Sequence, residues 1–356
     1  MTVVARFEIE HHGVVAPDGT VRGELPAFAR DRATLVSLYR WMVLTRSFDA
    51  KAVALQRTGR LGTYASSLGQ EAVAVGLAYP MTAGDVLVPS FREHGAQLVR
   101  GVTMTELLLY WGGDERGSDF AGPRRDFPVC IPVGSHAPHA AGVAFALKFR
   151  REPHAALAVF GDGATSKGDV YEAMNLAGAW TLPVVFVVDN NQWAISVPRR
   201  AQSAAATLAQ KAVAAGFDGV QVDGNDVVAV ADVVGTALAK ARAGGGPTLV
   251  EALTYRLAYH TTAYDASRYR DDADVARHWQ EEPIARLRAH LTAAHGWSRD
   301  DEQALLAACS DEVERAAAAY LATPPQDPAT MFDALYATLP PALAAQRERM
   351  RQETAA

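Results

Sequence analysis

Cysteine is scarce in this chain: only Cys130 and Cys309 occur among 356 residues. Two thiols cannot build the disulfide framework of a small secreted domain or a thiolate metal centre, and such sparing use suits a reducing cytoplasm. Long apolar runs are also missing, and none approaches the roughly 20 residues that a membrane-spanning helix needs. The first ten residues are broken by Arg6, Glu8 and Glu10, so the basic segment and apolar run of a secretory signal are not expected. Nor is there a surplus of positive charge. The formal net charge of −6 argues against nucleic acid as the main partner, because phosphate binding draws on a basic surface. What remains is a composition of 49% hydrophobic and 21% charged residues, ordinary for a globular chain long enough to bury a sizeable core.

Three regions follow from the pattern. Residues 1–30 carry scattered Gly and Pro with little periodicity and read as an extended arm. Residues 31–275 alternate helical and strand signals. Leu35, Leu38, Tyr39, Met42, Val43, Phe48, Val53 and Leu55 recur at helical spacing over 32–56. A second helix is expected over 70–79 and a short buried strand over 85–89. The Gly-, Pro- and charge-rich stretch 112–132 reads as a long loop. Apolar runs at 155–160, 183–188, 219–224 and 248–253 read as strands, with helices over 169–180 and 227–243. Strands alternating with helices predict an α/β fold, a doubly wound, mostly parallel sheet covered on both faces. Residues 276–356 are Ala-rich and read as a helical extension, broken at Pro324-Pro325 and Pro340-Pro341.

Two motifs carry chemistry. Gly161-Asp162-Gly163 ends one predicted strand and Asn190-Asn191 ends the next. A helix of roughly 12 residues rises about 18 Å and a strand of six returns about 20 Å, so both motifs come back to one edge of the sheet. That is the edge where open parallel sheets bind ligands. Asp162 and Asn191 offer a carboxylate and an amide oxygen, which suit a magnesium ion bridging to phosphate. The flanking glycines admit the phosphates, whose charge favours the amino end of the next helix. Ser166 and Asp169 fit a capping box there. Two other readings of the same residues stay open. A dinucleotide fold would use Gly161 and Gly163 as its phosphate loop and Asp189 as its ribose acceptor, although Ser166 replaces the third glycine and Asp162 would repel a pyrophosphate. Both motifs also suit plain turns.

The surroundings resemble the alpha subunits of pyruvate and branched-chain 2-oxo acid dehydrogenases, which depend on thiamine diphosphate. The similar segments are GRLGTYASSLGQEA from Gly59, PSFREHG from Pro89, GDGATSKGDVYEAMNLAGAW from Gly161, NNQWAISVP from Asn190, QVDGNDV from Gln221 and GPTLVEALTYRLAYHTTAYDASRYR from Gly246. The resemblance implies thiamine diphosphate held through Mg2+ by Asp162, Asn191 and the backbone oxygen of Trp193. It implies that Arg92 holds the diphosphate, that Gly163 and Ala164 meet it through their backbone, and that Val133 supports the bent cofactor. His260 corresponds to the histidine serving acyl transfer, and His94 and His136 are candidates for the same lining.

The resemblance further implies oxidative decarboxylation of pyruvate and transfer of the acetyl group to the lipoyl group of a dihydrolipoyl acyltransferase. A branched-chain 2-oxo acid is the alternative substrate, and acetoin fits less well because the loop after Tyr255 differs. Phe91 stands where relatives often carry tyrosine, and His136 where glutamine is frequent. Tyr259 and Tyr264 occupy places where branched-chain relatives carry histidine and aspartate. Single-chain relatives that also carry a pyrimidine-binding domain are much longer, so a separate beta subunit and an alpha2beta2 heterotetramer are expected.

Overall fold

The apolar runs form the centre of a six-stranded parallel sheet in the computed structural model, which describes residues 1–355. Its strands are β1 (His11–His12), β2 (Val86–Val88), β3 (Ala156–Gly161), β4 (Val184–Asn190), β5 (Asp218–Asp223) and β6 (Thr248–Leu253). Their spatial order is β1-β5-β6-β4-β3-β2, and every neighbouring pair is parallel. Strands covered on both faces need apolar residues at successive positions, which is why they read as continuous runs. Leu157, Val159, Val185 and Val187 face one layer, where they meet Val230 and Val234. Ala158, Phe160, Phe186 and Val188 face the other, against Ala141, Ala144, Val170 and Met174.

The helices that matter here are α1 (Arg32–Arg57), α2 (Glu71–Ala78), α3 (His94–Arg100), α4 (Met104–Trp111), α5 (Ala137–Arg150), α6 (Gly168–Ala179), α7 (Val227–Arg242), α8 (Asp272–His278), α9 (Pro283–His295), α10 (Arg299–Ala322) and α11 (Pro341–Ala355). Helices α2 and α7 cover one face of the sheet, and α5 and α6 the other. A further core gathers Leu38, Met42 and Phe48 of α1 with Leu107, Leu291 and Val313. The proline pairs act as expected: α10 stops at Ala322 and α11 starts at Pro341. Among the described residues, no helix is long and apolar enough to cross a membrane.

Some local expectations are corrected. The first strand expected from the sequence is 85–89, yet His11–His12 pairs with β5. Asp226 holds this segment, its Oδ2 accepting the N–H groups of Val14 and Val15 at 2.7 and 2.6 Å. Two residues are too few to show a period of two in the sequence. The capping box at Ser166 and Asp169 does not form. Residues Asp162–Ser166 instead make a 3-10 turn in which the Thr165 hydroxyl donates to the Asp162 carbonyl at 2.8 Å, and α6 begins at Gly168 after an N-cap Lys167 whose side chain makes no cap bond. Gly163 therefore lies one turn before the helix, not at its amino end. The 112–132 stretch is mostly loop but is fastened down: Asp126 accepts the Leu87 N–H at 2.9 Å and pairs with Arg100, and the Phe127 N–H donates to the Leu87 carbonyl.

Candidate cofactor site

The carboxyl ends of β3 and β4 open onto a cavity of about 340 Å³. Arg92, Val133, Asp162, Gly163, Ala164, Asn191, Trp193 and His260 all line it, so these eight residues singled out from the sequence are brought to one place. A larger cleft of about 460 Å³ shares only Trp193 with that set.

Parallel pairing sets Gly161 beside Asp189, which fixes the two motifs side by side. Asp162 is buried, and its Oδ2 accepts a hydrogen bond from Gln202 at 2.8 Å. Burial lifts its carboxyl to about 6, although the Gln202 bond opposes the rise. The Asn191 side chain is held at both ends. Its Nδ2 donates to Gln70 at 2.8 Å, and its Oδ1 accepts the Trp193 N–H at 3.2 Å. The Trp193 carbonyl accepts from Arg256 at 2.9 Å. A β-carbon on Gly163 would stand 2.6 Å from that of Ala194, closer than real atoms approach, so glycine is required where the 3-10 turn meets the 193–198 hairpin.

These groups fit a magnesium-bound diphosphate. Among the described residues no cluster of three or more His, Cys, Asp or Glu could grip a metal alone. The donors at hand are instead one carboxylate, one amide oxygen and one backbone carbonyl, the hard oxygens with which a protein holds a cation that keeps water and phosphate ligands. Arg92, also buried, supplies positive charge. Its Nη1 donates to the Ser66 carbonyl at 2.6 Å, and its Nη2 reaches the carbonyl and ring of His260. Burial, then the neighbouring charge of Arg256, lowers its pKa to about 10, so it stays cationic at neutral pH. Burial and the two arginines push His260 down to about 3.

Val133 is 45% exposed at the edge of the cavity. Gly134 follows it with a φ of 76°, a left-handed conformation that favours glycine. His136 lines the cavity with its Nε2 at 2.7 Å from the Val159 carbonyl, and its buried Nδ1 has no partner. His94 does not line it. That ring is buried beside Tyr64 and Trp111.

Several site residues were missed. Arg256 is fully buried and clamps the hairpin through the carbonyls of Trp193 and Ile195. An arginine three residues beyond the apolar run of β6 was its signal. Gln202 gave none, since its place beside Asp162 depends on the hairpin fold. Glu93 and Asp189 are buried acids in the same lining. Burial raises Glu93 to about 7. Asp189 is held well above the usual carboxylate range by burial and then by the like charge of Glu93, and its Oδ1 has no partner. Asp189 had entered only as the ribose acceptor of the dinucleotide reading.

Comparison with known proteins bears on the family of the chain. The family described as "Dehydrogenase E1 component" matches residues 39–329. The chain is 42% identical to the 3-methyl-2-oxobutanoate dehydrogenase subunit alpha of Mycobacterium tuberculosis over 98% of its own length and 95% of that relative. It is 37% identical to the pyruvate dehydrogenase E1 component subunit alpha of Staphylococcus epidermidis, over 98% and 94%. The subunit of that name from Acholeplasma laidlawii is 42% identical over 77% of this chain and 80% of its own. The family depends on thiamine diphosphate, so the dinucleotide reading falls away. The chain belongs to the dehydrogenase E1 component family, among the alpha subunits of thiamine-diphosphate-dependent 2-oxo acid dehydrogenases.

Proposed function

We propose that the chain is the alpha subunit of a pyruvate dehydrogenase, decarboxylating pyruvate and passing the acetyl group to the lipoyl group of a dihydrolipoyl acyltransferase. The observation that carries this reading is the convergence of Asp162, Asn191, Trp193, Arg92 and His260 on one cavity. In this reading Asp162, Asn191 and the Trp193 carbonyl hold Mg2+, Arg92 neutralises the diphosphate, Gly163 and Ala164 meet it through backbone, and Val133 supports the rings. Thiamine diphosphate, when bound, supplies the nucleophilic carbon and the electron sink for loss of carbon dioxide. His260 keeps one ring hydrogen at the mouth for the acyl-transfer step. Residues 31–275 form the cofactor-binding unit, flanked by the arm 1–30 and the helical region 276–356. A beta subunit completes the pyrimidine side in an alpha2beta2 assembly, in the cytoplasm.

Pyruvate is favoured because aromatic rings crowd His260: Tyr264 stands edge-on at 5.2 Å and Phe91 at 6.1 Å between centroids. Such a mouth suits a small acyl group. The second reading, 3-methyl-2-oxobutanoate, draws on the name of the M. tuberculosis relative. Turnover of both 2-oxo acids by the chain assembled with its cognate beta subunit separates them. A higher kcat/KM for the branched substrate overturns the first reading. Robust thiamine-dependent turnover by a preparation free of beta subunit overturns the two-chain site.

A further inference from the structure

Arg92 and His260 are far apart in the chain, yet both rest on residues 64–68. The Ser66 carbonyl accepts from Arg92 at 2.6 Å. Thr262, two residues beyond His260, pairs with Tyr64: its N–H donates to the Tyr64 carbonyl at 2.9 Å, and its hydroxyl accepts the Tyr64 N–H at 3.0 Å. The Leu257 N–H donates to the Leu68 carbonyl at 3.2 Å. Residues 64–68 belong to no helix or strand, so their backbone takes its geometry from side chains and neighbouring loops.

The side chain at their centre is Asp49 of α1, which is 4% exposed. Its carboxylate accepts from the Ser67 N–H at 2.7 Å, the Ser66 hydroxyl at 2.6 Å and the Tyr64 hydroxyl at 3.0 Å. These donors are neutral. A carboxylate buried without a contacting cation is costly, and burial does raise the Asp49 pKa while the hydrogen bonds oppose it. What such a group provides is direction, since its donors come from one short segment.

The brace extends through three helices. The Trp111 indole of α4 donates to His94 Nε2 at 3.0 Å, which leaves the ring hydrogen on Nδ1, 3.3 Å from the Tyr64 hydroxyl. Tyr64 donates onward to Asp49. Every donor in this chain points toward the carboxylate.

We propose that Asp49 is a positioning residue for both halves of the reaction: through residues 64–68 it sets the place of Arg92 and of the loop that carries His260. It touches neither cofactor nor substrate. The inference rests on the reading of the site given above.

The test uses the chain assembled with its beta subunit. Asp49→Asn keeps the shape but turns an N–H2 group toward donors. Affinity for thiamine diphosphate with magnesium should fall about tenfold, as when outer partners of bound groups are removed elsewhere. Amide exchange should quicken at residues 62–68 and 257–264 and keep wild-type rates in α5 and α6. Ser66→Ala, which removes one hydroxyl, should show the same pattern with a loss of about threefold. Affinities within about twofold of wild type in both variants, or faster exchange spread evenly over the chain, overturn the proposal. If Asp49→Asn fails to fold, Ser66→Ala and Tyr64→Phe decide by the same readouts. Wild-type enzyme that binds no thiamine diphosphate would reject the functional reading instead.

Discussion

The Arg92 guanidinium donates from one nitrogen to two atoms of His260, the backbone oxygen at 2.6 Å and ring Nδ1 at 2.9 Å. A guanidinium has donors only, so Nδ1 must accept and the ring hydrogen sits on Nε2. The contact therefore fixes the tautomer as well as the position of the imidazole.

Removing that cation should free the ring to protonate. In Arg92→Met the His260 pKa should rise from about 3 toward the ordinary value of about 6.5, held short of it by burial and Arg256. Imidazole NMR titration of the assembled enzyme reads this directly. An unchanged His260 titration would show that Arg92 does not control the ring.

Asp162→Ala should remove magnesium-dependent affinity for thiamine diphosphate, because the diphosphate loses its bridging charge. Asn191→Ala should weaken it less completely. Calorimetry on the assembled enzyme provides the measurement, and wild-type affinity in Asp162→Ala would sink the metal assignment.

The pH dependence of binding has a defined sign. A carboxyl raised to about 6 is protonated below that pH and then cannot ligate a cation. Affinity for the magnesium complex should be steady above pH 7 and fall by up to about tenfold per pH unit below about 6. Asp162→Asn should flatten this dependence. A wild-type curve flat down to about pH 5 would contradict the account.

His260→Ala separates the half-reactions. Carbon dioxide release, followed with an artificial electron acceptor, should fall less than acyl transfer to a lipoyl domain, where loss of a positioned proton donor costs about a hundredfold. Because burial and the two arginines push the His260 pKa down to about 3, the ring is neutral and donates from Nε2, so wild-type acyl transfer should show no His260 limb between about pH 5 and about pH 8. Equal losses in both assays would leave His260 without a selective role.

The central strands were legible because burial on both faces demands uninterrupted apolar residues, as at 155–160 and 183–188. The spacing from Asp162 to Asn191 was legible because helix and strand lengths return both to one edge. Legibility failed where tertiary contacts supply the order. Gln202 meets Asp162 only after a hairpin folds back, and Asp49 gains its meaning from donors at 64–67. The α6 cap failed for a related reason: the 3-10 turn at 162–166 takes up Ser166, and Asp169 falls within the first turn of α6.

The two-residue strand at the amino end has a cost for anyone shortening the chain. It lies at the rim of the sheet, where the Glu10 carbonyl accepts the Gln221 N–H at 2.9 Å. Without residues 1–15, β5 becomes an open edge able to template pairing with another molecule. Asp226, 1% exposed in the intact chain, also loses both bonds to Oδ2 and keeps only its cap of α7. The least regular stretch of the sequence thus covers β5 at Gln221 and Val222, on a side that would otherwise lie open.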